Sequence, residues 1–216
     1  MKGKIIVIEG ACDGIGKTTQ FNLLKNELEK TYFHHFPSYN EFQGRGVEEY
    51  LKGNFGEINS LSNYFVNSLY AYDRAVTWHS KLKKLYGEGN TLLFDRYTTS
   101  SLIYQSALID DIEEKKKFID FVVDYEYNKL EIGKPDVVIF LKAPYEFVLK
   151  MRNDRLSNEG ITNDIHEAND EYMKKVYENS LFVSKYLNFI EIDCVRDGKF
   201  KSIEDIHKEI IDKINN

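Results

Sequence analysis

Residues 10–20 read GACDGIGKTTQ, a segment that combines glycines with one lysine and two threonines. Glycines let the backbone approach an anion closely, so that N–H groups converge on phosphate oxygens. A lysine adds positive charge, and the hydroxyl of Thr18 can bind a magnesium ion. The residues predicted to hold nucleotide phosphates are Asp13, Gly14, Ile15, Gly16, Lys17, Thr18 and Thr19.

The spacing of this segment is irregular. Five residues separate Gly10 from Gly16, whereas a regular phosphate loop has four between its framing glycines. Either Ala11 takes the place of the first glycine, or the chain bulges by one residue before Asp13. Residues 14–18 keep their spacing in both cases, so we expect phosphate binding to survive.

A second reactive segment, LLFDRYTTSSLIYQ, places Asp95 and Arg96 directly after a run of apolar residues. Open α/β sheets bind ligands at the carboxyl ends of their strands. A carboxylate there can hold Mg²⁺ or accept a proton, and a guanidinium can hold the oxygens of a transferring phosphoryl group. The two segments together predict phosphoryl-transfer chemistry.

Five β-rich stretches could position these residues: 4–10, 31–37, 91–97, 136–144 and 188–194. The apolar runs among them suit strands buried on both faces of a parallel sheet. Helical patterns lie between them, including one after a possible cap at Ser202 with Asp205 three residues later. Alternating strands and helices predict a doubly wound α/β fold.

Composition excludes several other classes of protein. The chain has 216 residues, 30% of them charged, and a net charge of −6, which argues against a nucleic-acid partner. Its longest apolar runs are too short to span a bilayer. Two cysteines are too few for a disulfide framework. We therefore expect a cytoplasmic protein with no membrane partner.

The whole chain, 1–216, is predicted to form one domain with two mobile segments. One covers about 36–75 and would bind the acceptor, the molecule that receives the phosphoryl group. The other covers about 152–167 and contains the polar stretch LSNEGITNDIH, typical of a lid that closes over a ligand.

Six motifs occur in one order: EGACDGIGKTTQ, FPSY, SLYAYDRA, DRYTTSSLIYQ, KPDVVIFLKAP and NDIHE. The order of these motifs, and nearly their spacing, is that of the thymidylate kinases, which the chain resembles from residue 3 to about residue 180. The resemblance implies a P-loop NTPase-type three-layer sandwich, in which helices cover both faces of a five-stranded parallel sheet. It also implies transfer of the γ-phosphoryl of ATP to dTMP in the presence of Mg²⁺, and a homodimer formed through helices around 60–85 and 112–130.

The resemblance also implies roles for individual residues. Lys17, Asp95 and Arg96 would be catalytic together with a lid arginine, Arg152 or Arg155, and the magnesium ion would be held by Thr18 and Asp95. Tyr70 would stack on thymine, and Arg74 would donate to its O4 edge. The residues implied to bind dTMP are Asp13, Phe36, Pro37, Tyr39, Arg45, Tyr70, Arg74, Arg96, Ser100, Ser101, Tyr104, Gln105, Asp164 and Glu167.

Some positions depart from the family pattern. Ser38 and Tyr39 occupy the stretch where the family often has an arginine for the acceptor phosphate, and Arg45 is a candidate substitute. Ile165 and His166 stand where arginine or an aromatic is common. Two alternatives remain: a kinase for another deoxynucleotide or a deoxynucleoside, and a non-catalytic regulator that binds ATP.

Overall fold

The computed structural model describes residues 2–11, 14–159, 166 and 169–215, without the side chains of residues 59 and 153–159. Five parallel strands form one sheet: β1 (Lys4–Gly10), β2 (Thr31–His35), β3 (Thr91–Asp95), β4 (Val137–Lys142) and β5 (Ile190–Asp193). Their spatial order is β2-β3-β1-β4-β5, which puts β1 at the centre. All five predicted strands are therefore present.

Helices connect these strands and cover the sheet. They are α1 (Lys17–Glu27), α2 (Arg45–Leu51), α3 (Asn63–Thr77), α4 (Lys83–Gly87), α5 (Thr98–Tyr104), α6 (Ile112–Asp124), α7 (Tyr145–Glu159), α8 (Asp170–Tyr186) and α9 (Ile203–Asn215). The predicted cap of α9 is confirmed, because the backbone N–H of Asp205 donates to the hydroxyl of Ser202 at 3.0 Å. No helix among the described residues is long and apolar enough to cross a bilayer.

The central strand is buried on both faces, as its continuous apolar sequence predicts. Ile6 and Ile8 pack into one hydrophobic cluster with residues of α5, α6 and α8. Ile5 and Val7 point the other way and pack with Trp78. Successive side chains of a strand alternate between faces, so these two clusters form the interfaces of a three-layer sandwich. The predicted fold class is confirmed.

Two helices end in a π-helical turn. Trp78–Leu82 continues α3, and Tyr125–Lys129 continues α6. A hydrogen bond joins the first turn to the residue that follows the second: the Nε2 atom of His79 lies 2.7 Å from the carbonyl oxygen of Leu130. A π turn holds one more residue than an α turn and therefore shifts the side chains that follow it around the helix axis.

Candidate active site

The first half of the phosphate loop continues the central strand. The backbone N–H of Ala11 donates to the carbonyl of Leu141 at 2.9 Å, so sheet pairing extends one residue beyond β1. A Cβ atom on Gly10 would lie 2.7 Å from Ile15 and 3.1 Å from Cδ of Lys17. Gly10 thus leaves room for the lysine side chain to fold back over the strand. Cys12 and Asp13, where the spacing is irregular, lie outside the described residues.

The second half of the loop depends on left-handed backbone. Gly14 has a φ angle of 87° and Gly16 one of 94°, values that residues other than glycine rarely adopt. Gly16 caps α1, which begins at Lys17. The partial positive charge of a helix N-terminus favours bound phosphate at this point. Thr18 and Thr19 follow in the first turn and are exposed.

Asp95 ends β3 and lies beside β1 and β2. Its Cα pairs in register with Ile8 on one side and His35 on the other. The side chain is nearly buried, and the Nδ1 atom of His35 lies 3.2 Å from its Oδ2 atom. Its Oδ1 atom has no hydrogen-bond partner among the described residues. One carboxylate oxygen is therefore fixed while the other remains available to a ligand.

The charge of Asp95 is favoured by its neighbours. Burial by itself raises the pKa of this carboxyl, but the hydrogen bond from His35 and the charges of Lys17 and Arg96 outweigh it. The net pKa is below the usual value, so Asp95 is ionised at neutral pH. An ionised carboxylate with one unpartnered oxygen fits a magnesium ligand.

Arg96 has an unusual backbone conformation. Its φ is 64°, in the left-handed region, and its N–H donates to the carbonyl of Ile8 at 3.3 Å. The guanidinium lies over the ring of Tyr104, 5.3 Å from the ring centre. Arg96 therefore lies beside α5, against Tyr104, which is predicted to line the sugar of the acceptor.

Arg74 and Ser101, both predicted to bind the acceptor base, are in direct contact. Arg74 is only 2% exposed, and its Nη2 atom donates to the Ser101 hydroxyl at 2.9 Å. Glu126 accepts from Nε at 2.7 Å and from Nη2 at 2.6 Å. Burial lowers the pKa of Arg74, but Glu126 more than compensates and raises it above the usual value. Glu126 was missed by sequence reasoning because it lies 52 residues from Arg74.

A second buried carboxylate, Glu9, was also missed. It precedes the phosphate loop and accepts hydrogen bonds from Thr99 at 3.1 Å and from Ser100 at 2.5 Å. The hydroxyl of Ser100, predicted to line the acceptor site, is thus engaged by β1. This contact ties the first turn of α5 to the end of the central strand.

Two buried amides on this side of the sheet keep polar atoms available. The Oε1 atom of Gln105 and both polar atoms of the Asn67 side chain have no hydrogen-bond partner among the described residues. Asn67 lies seven residues before Arg74 and shares its face of α3. Buried polar groups normally find a partner, so these atoms mark places where a ligand would supply one.

Aromatic rings from α2 and α5 meet His166, the last residue of the polar stretch in the predicted lid. Its Nε2 atom lies 2.8 Å from the hydroxyl of Tyr50, and its ring stacks on Tyr104 with centres 5.7 Å apart. Tyr50 in turn packs edge-on against Tyr70, at 6.3 Å. This lid residue thus contacts α2 and α5 beside Tyr70, which is predicted to stack on the base.

The remaining predicted positions differ in exposure. Phe36 packs in the core against Phe94 and Tyr97, and its bond to Pro37 is cis. Tyr39 is exposed beside His35.

Three arginines besides Arg96 were predicted near the phosphates: Arg45, Arg152 and Arg155. Arg45 is exposed at the start of α2. Arg152, on α7, donates to Asp170 at 2.9 Å, and its backbone N would lie 3.3 Å from a Cβ on Gly14. The helix that leads into the lid therefore packs directly on the phosphate loop. Asp164, Glu167 and the side chain of Arg155 lie outside the described residues.

These features define the class of protein. A glycine-rich loop joins the central strand of a five-stranded parallel sheet to a helix, and an aspartate ends the neighbouring strand. This arrangement is that of the P-loop NTPases.

Comparison with known proteins narrows the class. The family model named thymidylate kinase matches residues 8–210. A probable thymidylate kinase of Methanocaldococcus jannaschii is 34% identical, with 98% of this chain and 95% of that protein covered. One from Methanococcus aeolicus is 33% identical, with the same coverage. The chain belongs to the thymidylate kinase family.

A solved structure agrees in fold. The thymidylate kinase of Candida albicans superposes with a TM-score of 0.75 at 22% identity, covering 99% of this chain and 92% of that one.

Proposed function

We propose that this protein uses ATP and Mg²⁺ to phosphorylate dTMP to dTDP, through the site at the carboxyl ends of β1 and β3. Family membership supports the reaction, because residues 8–210 match the thymidylate kinase model. One structural observation supports the assignment of the site. The buried Lys17 and Asp95 interact electrostatically beside Arg96, and the predicted base contacts Arg74 and Ser101 lie on the adjoining helices.

The donor side would work mainly through the backbone. The amides of residues 14–18 and the ammonium group of Lys17 would surround the phosphates of ATP, at the N-terminus of α1. Phosphoryl transfer brings two anions together, so positioning and charge neutralisation supply most of the catalysis. Arg152 is the lid arginine closest to this loop among the described side chains, because α7 packs on Gly14.

Mg²⁺ fits the residues present. Asp95 offers an ionised carboxylate whose Oδ1 has no partner among the described residues, and Thr18 offers an exposed hydroxyl. When bound, the ion would neutralise charge on the phosphate oxygens. His35 would hold the other carboxylate oxygen and so fix the direction of Asp95.

The acceptor side would depend on side chains. Arg96 would hold the 5′-phosphate of dTMP, and Tyr104 would crowd the position of a ribose 2′-hydroxyl. Arg74 would donate to O4 of thymine. The Oε1 atom of Gln105, which has no hydrogen-bond partner within the described part of the chain, would accept from N3–H. Tyr70 would stack on the base from α3.

A parallel assay of acceptors tests the function. Transfer from ATP to dTMP, dUMP, dCMP, dGMP and thymidine is measured under one set of conditions. We expect dTMP to be preferred, with dUMP about 10-fold poorer or more, because a methyl group in a fitted pocket contributes about 1–3 kcal/mol. Equal rates with all five acceptors, or transfer only to thymidine, would refute the proposal.

We also infer a homodimer. The sides of α3 and α6 expose four aromatic residues: Tyr64, Phe65, Tyr72 and Phe121. Tyr64 and Phe121 pack edge-on, 4.9 Å apart, so the two helices present a continuous apolar surface. Sedimentation equilibrium tests the inference, and a monomer at micromolar concentration would contradict it.

A further inference from the structure

We propose that Glu126 is a positioning residue for base recognition: it fixes the guanidinium of Arg74 so that one N–H of Nη1 faces the acceptor base. The inference rests on the proposed function, and Glu126 lies outside the six motifs that carry the family resemblance. Glu126 is 0% exposed and would act through Arg74, without touching the substrate or the reacting atoms.

The donors of Arg74 can be counted. A guanidinium carries five N–H groups. Nε donates to Glu126, and Nη2 donates to Glu126 and to Ser101. One N–H of Nη1 makes a long contact of 3.4 Å with the carbonyl of Tyr97. The fifth N–H has no partner among the described residues, and it is the donor that remains for a ligand.

Glu126 holds the guanidinium from one side only. Its two oxygens bind Nε and Nη2 in the parallel geometry that gives arginine–carboxylate pairs their directional strength. Oε2 also accepts from the hydroxyl of Thr98 at 2.8 Å. Glu126 is 0% exposed, so no water competes for these bonds. The plane of the guanidinium is therefore fixed, and with it the direction of Nη1.

Helical spacing accounts for the inward direction of Glu126, which lies four residues after Val122 and seven after Ile119, both buried in α6. Glu126 is the second residue of the π turn Tyr125–Lys129, which continues α6. The hydrogen bond between Leu130 and His79 ties this turn to the π turn that follows Arg74 on α3. The two partners of the ion pair are therefore supported by two helix ends that are bonded to each other.

A fixed donor discriminates between bases. Thymine and uracil present an oxygen acceptor at position 4, whereas cytosine presents an amino donor. An immobile N–H facing position 4 binds the first and opposes the second. If Arg74 were mobile, it could turn away from cytosine, and the discrimination would fall. Glu126 is thus expected to set the ratio of dTMP to dCMP use.

The test is Glu126→Gln in the full chain, with kcat and KM measured for dTMP, dCMP and ATP. A glutamine keeps the volume but replaces one acceptor oxygen by a donor, which faces the guanidinium. We expect KM for dTMP to rise about 10-fold or more and the kcat/KM ratio of dTMP to dCMP to fall by a similar factor. KM for ATP and kcat at saturating dTMP should stay within about 2-fold.

The matched control is Thr98→Val. It removes the third hydrogen bond to the same carboxylate and keeps both bonds to Arg74, so the acceptor ratio should stay within about 2-fold of the unmodified protein. A second variant, Glu126→Asp, keeps the buried charge and covers the case in which the glutamine variant does not fold. We expect its acceptor ratio to fall by about 3-fold or more.

Two outcomes would overturn the proposal. One is a folded Glu126 variant, checked by circular dichroism, with an unchanged ratio of dTMP to dCMP. The other is an equal loss for dTMP, dCMP and ATP, the result of a purely structural role. Failure of the proposed function is distinguishable from both, because the unmodified protein would then show no preference for dTMP at the outset.

Discussion

The phosphate loop and the wall around Arg74, formed by Arg74, Ser101 and Glu126, lie at the same edge of the sheet but are built differently. The loop uses backbone: glycines in left-handed conformation at positions 14 and 16, followed by a helix N-terminus. The wall uses buried side chains, with Arg74 and Glu126 from separate helices bonded through two oxygens. Backbone amides bind any phosphate, whereas a fixed side-chain donor selects one base edge.

This difference determines how each region tolerates change. A backbone site loses function when its conformation is disturbed, whichever side chains surround it. A side-chain site with a buried charge loses function when one partner is removed, because the other is left uncompensated. Substitutions in the two regions should therefore affect different kinetic constants.

The largest effect is expected for Asp95→Asn. The substitution keeps the shape but removes the charge beside Lys17 and the oxygen that fits a metal. We expect kcat to fall about 1,000-fold, while the Kd for ATP stays within about 3-fold, since the loop amides are unchanged. Steady-state kinetics and calorimetric titration with ATP measure the two quantities. Normal turnover would refute the assigned role.

Glycine substitutions in the loop form a matched pair. A Cβ on Gly16 meets nothing within 4 Å, so Gly16→Ala tests the left-handed backbone alone. A Cβ on Gly14 would also lie 3.3 Å from the backbone of Met151 and Arg152. We expect ATP affinity to fall about 5-fold for Gly16→Ala, from a strain of about 1 kcal/mol, and further for Gly14→Ala.

The acceptor ratio is the control for this pair. Both variants should leave the kcat/KM ratio of dTMP to dCMP unchanged, because neither touches the wall around Arg74. A change in that ratio equal to the one caused by Glu126→Gln would show that the two regions do not act separately.

The smallest effect concerns His34, which lies in β2 just before the acceptor segment. Burial lowers its pKa from 6.5 to about 4, against the attraction of Glu41. Between these two values the unfolded chain binds the proton more readily than the folded protein, so stability is lost as pH falls from 6.5 toward 4. The slope is at most about 1.4 kcal/mol per pH unit.

Urea unfolding of the unmodified protein and of His34→Gln, at pH 7 and pH 5, measures this contribution. The glutamine keeps a polar contact for Ser38, which lies 3.0 Å from Nε2 of His34. Burial raises the pKa of Asp73, an opposite contribution that both proteins share. The difference in free energy of unfolding between them should shrink at pH 5, and an unchanged difference would contradict the assigned pKa.

The sequence predicted what is local in the chain. The five strands follow from apolar runs, the phosphate loop from glycine and lysine spacing, and the cap at Ser202 from a residue three positions away. Each of these patterns is contained within a few residues, so periodicity and spacing reveal it.

The wall around Arg74 could be predicted only in part. Arg74 and Ser101 were identified through family motifs. Glu126 belongs to none of the quoted motifs, and Glu9 begins one of them but was given no role; their partners lie 52 and about 90 positions away. A buried carboxylate and a surface carboxylate look alike in a sequence until the fold brings a partner to one of them. Glu126 continues the buried face of Ile119 and Val122 on α6, but spacing alone does not show that Arg74 lies opposite it.

The left-handed backbone of Arg96 has a consequence for how such a chain can change. At φ of 64° glycine would relieve strain of about 1 kcal/mol, but it would remove the guanidinium over Tyr104. Selection for a more stable fold and selection for turnover therefore oppose each other at this position. A laboratory search for thermostable variants that does not also assay activity should favour glycine at position 96.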